Sequence, residues 1–179
     1  MKRWALLCGV LLLSAVAASA QGTPKLEVFG GYSYFHTSLS GTGVTASLNG
    51  GTASVSFNPN SWLGLVGEFG GYYGARYSSG GGVNGEVYTY LFGPKATFHV
   101  GRITPFVQSL FGGAHGSSGS AFGSSSAFAM ASGGGVDVNA TTHLGVRLVQ
   151  ADYLITELND GANSRQNNFR ISAGVTFRW

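Results

Sequence analysis

Apolar and polar residues alternate along the chain after residue 20, in segments of strand length separated by Gly-, Ser- and Asn-rich stretches. Alternate residues of a β-strand point to opposite faces, so this period of two predicts half-buried strands. Eight segments carry it. The first, Lys25 to Phe35, sets Leu26, Val28, Tyr32 and Tyr34 against Glu27, Phe29 and Ser33. The second, Gly50 to Phe57, sets Ala53, Val55 and Phe57 against Thr52, Ser54 and Ser56. Trp62 to Tyr73 follows, with Leu63, Leu65, Phe69 and Tyr73 opposite Gly64, Glu68 and Gly70. The fourth, Glu86 to His99, opposes Tyr88, Tyr90, Phe92, Ala96 and Phe98 to Thr89, Gly93, Lys95 and Thr97.

The fifth segment, Ile103 to Gly113, is apolar on both faces. Thr104 and Gln108 share one of them, which assigns Ile103, Val107 and Phe111 to the other, and Pro105 predicts a local irregularity. Ser126 to Val138 places Phe128, Met130, Val136 and Val138 opposite Asp137. His143 to Thr156 places Leu144, Val146 and Leu148 opposite Gly145 and Arg147; Gln150 and Asp152 then break phase, as at a bulge or where a strand leaves the membrane. The last segment, Asn168 to Trp179, is the most regular: Phe169, Ile171, Ala173, Val175, Phe177 and Trp179 alternate with Arg170, Ser172, Gly174, Thr176 and Arg178.

The connections alternate too. Asn58–Ser61, Val100–Arg102 and Asn139–Thr142 are short turns, whereas the links before the second, fourth, sixth and eighth segments are longer, and residues 75–85 and 114–125 read as loops. Short periplasmic turns opposite longer external loops are the pattern of an outer-membrane barrel.

The N-terminus adds a compartment. Met1-Lys2-Arg3-Trp4 precedes an apolar run from Ala5 to Ala18 and the small-residue site Ala18-Ser19-Ala20, the three parts of a secretory signal. The run falls short of the ~20 residues of a spanning helix. Cleavage after Ala20 is expected, giving a signal peptide, 1–20, and one barrel domain, 21–179. The single cysteine, Cys8, would leave with the signal, and with it any disulfide or thiolate chemistry.

Charge narrows the class further. Of ten Lys and Arg, two lie in the leader, which leaves eight against seven Asp and Glu, scattered singly; this excludes a nucleic-acid stripe. Charged residues make up 9% of the chain, against about a quarter in ordinary soluble domains. Lipid cannot satisfy open backbone groups, so a membrane-spanning chain without an apolar helix must be a closed barrel. A soluble lipocalin-like barrel shares the alternation. Its outer polar face would carry Lys and Glu rather than the Ser, Thr and Gly found here, and aromatics recur here at strand ends. The expected fold is therefore all-β: an eight-stranded antiparallel up-and-down transmembrane β-barrel.

At its last strand the chain resembles the OmpA-like and OmpX-like family of small outer-membrane barrels. Ser172-x-Gly174-x-x-Phe177-x-Trp179 is similar to the C-terminal signal read by the outer-membrane assembly machinery. The resemblance implies an outer-membrane location, with lipids and that machinery as partners and no separate peptidoglycan-binding domain. It also implies a lumen cluster of acidic and basic residues, here Glu68, Lys95, Asp137 and Arg147, which either fills the interior with ion pairs or forms a switchable ion path. A monomer is expected.

Catalysis and cofactors find little support. His36, His99, His115 and His143 have no metal-ligand spacing. His36-x-Ser38 superficially resembles the His-x-Ser of lipid A deacylases, but Leu39 stands where that family has Asn and no orienting acid follows. Gly93-Pro94-Lys95 lacks the spacing of a phosphate loop. The resulting expectation is a structural or interfacial barrel without catalytic, metal or cofactor site, the alternatives being a narrow pore and, less favoured, a lipid A-modifying enzyme or a soluble lipocalin-like ligand binder. Composition names no partner for the loops.

Overall fold

The computed structural model describes residues 24–38, 45–78, 81–118, 125–156 and 166–179. Eight strands form: β1 (Leu26–Ser38), β2 (Thr45–Phe57), β3 (Leu63–Ser78), β4 (Gly81–Thr97), β5 (Ile103–Ser118), β6 (Ser125–Asn139), β7 (Leu144–Thr156) and β8 (Gln166–Arg178). They pair in chain order and close into a barrel, with β1 antiparallel to β8 from Glu27↔Arg178 to Ser38↔Asn167. No sheet edge is left open, as a hydrocarbon environment demands. The leader expected at residues 1–20 lies outside the described residues.

The two faces follow the sequence alternation. Outward stand large apolar side chains, among them Phe69 at 55% and Phe92 at 59% exposure; inward lie Lys95 at 2% and Arg170 at 0%. Along the described strands most charges are buried and most aromatic rings exposed, the reverse of a soluble protein. Exposed rings form two girdles. Phe57, Trp62, Phe98, Phe177 and Trp179 ring the turn end, with Phe177 and Trp179 stacked at 6.3 Å. Towards the loop end tyrosines bond to their neighbours: Tyr32 donates to Asn49 (2.5 Å), Tyr34 to Ser47 (2.8 Å), and Tyr73 and Tyr88 share a bond of 2.7 Å. Amphipathic rings belong at membrane–water interfaces.

The ladders run further than the side-chain pattern predicts. Residues 75–78 and 81–85, expected in a loop, continue β3 and β4 to the pair Ser78↔Gly81, and residues 114–118 continue β5. Likewise β1 reaches Ser38, and β2 starts at Thr45 rather than Gly50. An antiparallel pair satisfies its backbone whether or not its side chains are apolar, so hairpins outlast the hydrophobic band. Nor does Pro105 disturb the register, since Thr104↔Asp137, Pro105↔Val136 and Phe106↔Gly135 are consecutive; the β4–β5 ladder skips Gly93 and Pro94 instead.

In β5, Ile103, Val107 and Phe111 do face outward, while Phe106 and Leu110 are buried beside Thr104 and Gln108. The break in β7 is a bulge. Arg147 pairs with Gly174 and Gln150 with Ser172, so Leu148 and Val149 together oppose one residue of β8, and both are exposed. Beyond them Gln150, Asp152 and Leu154 face inward again. At the β4–β5 turn, Val100 and Ile103 exchange both backbone bonds, and Gly101 takes the positive φ of 61° suited to a two-residue hairpin loop. At the closing seam Gly31 faces Gly174, and a Cβ on either would lie 2.3 Å from a backbone carbonyl oxygen of the other strand.

Deleting Val149 removes the spare residue yet leaves Arg147, Gln150, Asp152 and Leu154 facing inward. The shortened chain should keep the folded, SDS-resistant band seen on gels before boiling. Its disappearance would show that Leu148 and Val149 do not share a single outward position.

Candidate functional site in the barrel lumen

Inward positions of β1, β4, β6, β7 and β8 meet towards the turn end. Glu27 is their centre: its Oε1 lies 2.7 Å from Lys95 Nζ and 3.2 Å from Arg147 Nη2, and its Oε2 accepts from Arg178 Nε at 2.9 Å. Asp137 binds the same two arginines, Arg147 Nε at 2.8 Å and Arg178 Nη2 at 2.8 Å. Asn139 takes a further Arg178 N–H through Oδ1. The Arg147 guanidinium is also held between the rings of Phe29 and Phe106, 4.2 and 4.3 Å from their centroids. A delocalised, weakly hydrated cation suits such a sandwich.

A second group lies further along the lumen. Arg170 Nη2 is 2.6 Å from both Glu68 Oε1 and Asp152 Oδ2, and Nη1 donates to Tyr72 Oη at 2.9 Å. Gln150 joins the two groups. Its carbonyl oxygen accepts from Arg147 Nη1 at 2.6 Å, while its amide nitrogen donates to Asp152 Oδ2 at 2.7 Å and Glu68 Oε2 at 3.3 Å. Four buried carboxylates thus face four buried cations, three of the cations in the turn-end group and one in the other. An unpaired buried ion costs several kcal/mol, so this balance is a condition of folding.

Towards the loop end the lumen becomes apolar. Phe35, Leu48, Leu91, Leu110, Ala129 and Leu154 form a buried cluster, with the rings of Phe35 and Tyr72 5.0 Å apart.

All four lumen residues expected from the sequence are inside, yet they do not form one cluster. Among them only Arg147 and Asp137 pair directly; Lys95 pairs with Glu27, and Glu68 with Arg170 in the second group. Sequence reasoning left out Glu27, Asp152, Arg170 and Arg178. Three of these stand on polar faces already legible from alternation, and Asp152 is hidden by the bulge. In the C-terminal motif, Ser172 is buried against Ser33 at 2.6 Å and Gly174 lines the seam, while Phe177 and Trp179 point outward. His36 meets Ser47 at 3.3 Å across the β1–β2 ladder, and the side chain of Ser38 lies outside the described residues. Among the described residues no group of His, Cys, Asp and Glu is arranged to hold a metal.

Arg170→Met strands Glu68 and Asp152 without their shared cation. Equilibrium unfolding in urea should show a loss of about 3–5 kcal/mol. Adding Glu68→Gln and Asp152→Asn should return most of it; no recovery would mean that the pairing does not set the cost.

The barrel has close counterparts among solved structures. Neisserial surface protein A superposes with a TM-score of 0.73 at 15% identity, covering 89% of this chain and 100% of that one. Ail, the attachment invasion locus protein of Yersinia pestis, gives 0.59 at 17% identity over 88% of this chain and 100% of its own. OprG of Pseudomonas aeruginosa gives 0.57 at 9% identity, covering 88% and 96%. At these identities the likeness is one of fold. No curated protein sequence matches the chain. The model of the outer membrane protein beta-barrel domain matches residues 5–177. With the closed barrel, its inverted faces and its aromatic girdles, that match makes the chain a member of the outer membrane protein beta-barrel family.

Proposed function

We propose that this protein is a non-conducting barrel of the outer membrane with a structural and interfacial role, exported by a leader cleaved after Ala20. The observation that carries this reading is the filled lumen. A path along the axis meets the Glu27–Asp137 ionic group, then the Arg170 group, then the apolar layer around Leu48 and Leu110. Eight strands enclose a space that side chains can fill. A hydrated ion would have to break paired charges and then cross the apolar layer. The alternative of a narrow pore needs both barriers to open together.

What remains available is surface. A belt of exposed rings meets lipid, and the loop end faces outward from the cell; loop contacts with a partner are the natural site of any recognition. Ser172, Gly174, Phe177 and Trp179 serve on this reading as the signal for assembly. The two exposed rings at the end of β8 are presented for contact, while Ser172 and Gly174 have a separate structural use inside the seam. We read His36 as non-catalytic: among the described residues its ring bonds Ser47, which also accepts from Tyr34.

Two measurements test this. The protein should fractionate with the outer membrane and migrate differently before and after boiling in SDS. Purified into planar bilayers it should show no steady conductance, and Leu48→Ala with Leu110→Ala should not suffice to create one while the ionic groups stay paired. Stable wild-type channels would overturn the structural reading in favour of the pore.

A further inference from the structure

One row of the lipid-facing belt has a gap. Val28, Val55, Gly67, Phe92 and Phe111 are successive register partners from β1 to β5, and all face outward. Gly67 alone in this row carries no side chain, and a Cβ placed on it would meet nothing within 4 Å. The rings beside the gap are held away from it. Phe69 leans towards the loop end and stacks on Tyr88, with 6.2 Å between centroids. Tyr90 lies over Gly113, its register partner, and leaves no room there for a Cβ. What remains is an open groove of about 550 Å³, floored by Ala53 and Gly67, with Phe69 and Tyr90 on one side and Val55 and Phe92 on the other. That volume falls within the roughly 300–1,000 Å³ of small-ligand sites.

The groove is apolar. Ser54 and Glu68 border it but are buried, with their side chains turned into the lumen, and the Tyr90 hydroxyl points off over Gly113. It also has a direction. Its lower end is Val28, near the start of β1, whose partner on β8 is Phe177 of the turn-end girdle; its upper end is Phe111, in the middle of β5. The groove thus climbs from the turn-end interface towards the middle of the membrane. We propose that it holds one acyl chain of a phospholipid of the periplasmic leaflet, ester end beside Val28 and methyl end beside Phe111. Lipid tails are as apolar as the belt, so packing alone selects between positions on it. A chain on a flat part of the belt touches protein on one side. In the groove it is enclosed by floor and walls, and each carbon gains dispersion contacts. A flexible chain can follow a slanted groove to its floor, whereas a second barrel, convex and rigid, would span the walls and leave the floor empty. The site rests on the lipid-facing reading of the belt.

The test uses the full chain, checked for its heat-modifiable folded band, in phosphatidylcholine vesicles with a tracer phospholipid. One chain of the tracer carries a photoactivatable diazirine, either close to the ester or close to the methyl end, and adducts are mapped by mass spectrometry after irradiation. The near-ester probe should mark Val28 and Val55 and the near-methyl probe Phe92 and Phe111, each severalfold above Val146 and Val175 on β7 and β8. Gly67→Leu, whose side chain has room, should abolish that excess and keep the folded band. Ala53→Leu, filling the groove from β2, should do the same. Adducts spread evenly over the belt, or an excess that survives both substitutions, overturn the site. The two probes in reverse order would put the chain in the opposite leaflet and overturn the assignment to a periplasmic phospholipid. If Val146 and Val175 also go unmarked, the lipid-facing reading itself fails.

Discussion

Hydrocarbon accepts and donates no hydrogen bonds, and the rest of this structure follows from that constraint. Every strand must have two neighbours, so the sheet closes from β1 to β8. Every polar side chain within the membrane must turn inward or find a partner, so alternate residues separate by chemistry rather than by size. The result is an interior that holds paired ions and an exterior rich in aromatic rings.

That interior is stabilised by pairing more than by dryness. Glu27 accepts from three cations and Arg170 binds two carboxylates, so each group is held by residues from several strands at once. The ties run across the barrel and across its closing seam, joining Glu27 on β1 to Lys95 on β4 and Arg147 on β7. They add a cross-brace to the ladder bonds of adjacent strands. The bulge at Leu148–Val149 belongs to the same design. It lets Arg147 and Gln150, three residues apart, both face inward, and Gln150 then links the two ionic groups. A strictly alternating strand would send one of them into lipid.

Much of this was legible in the sequence, because period two is a direct image of two solvents. The phase of β8 alone sorts Arg170 and Arg178 from Phe169 and Phe177, and the ambiguous β5 was resolved by Thr104 and Gln108. Four things were not legible. Partner choice was hidden, since Glu68 and Lys95 share a face but lie at different heights once the strands are staggered. Strand length was underestimated wherever Gly and Ser continued the ladder past the apolar band, as in residues 75–85. The inward position of Asp152 depended on a bulge whose place only the register fixes. The interior hydrophobes Phe35, Leu48 and Leu91 were also easy to miss, because an apolar layer inside a barrel gives no contrast with an apolar belt outside.

The central claim is that alternate residues along each strand face lipid on one side and the barrel interior on the other. Single cysteines placed at successive positions from Phe169 to Phe177, labelled with a fluorophore and quenched by lipids brominated along their chains, test it directly. The account predicts strong quenching at 169, 171, 173, 175 and 177 and weak quenching at the residues between them. Quenching that is uniform along the strand, or that peaks at 170 and 172, would contradict it.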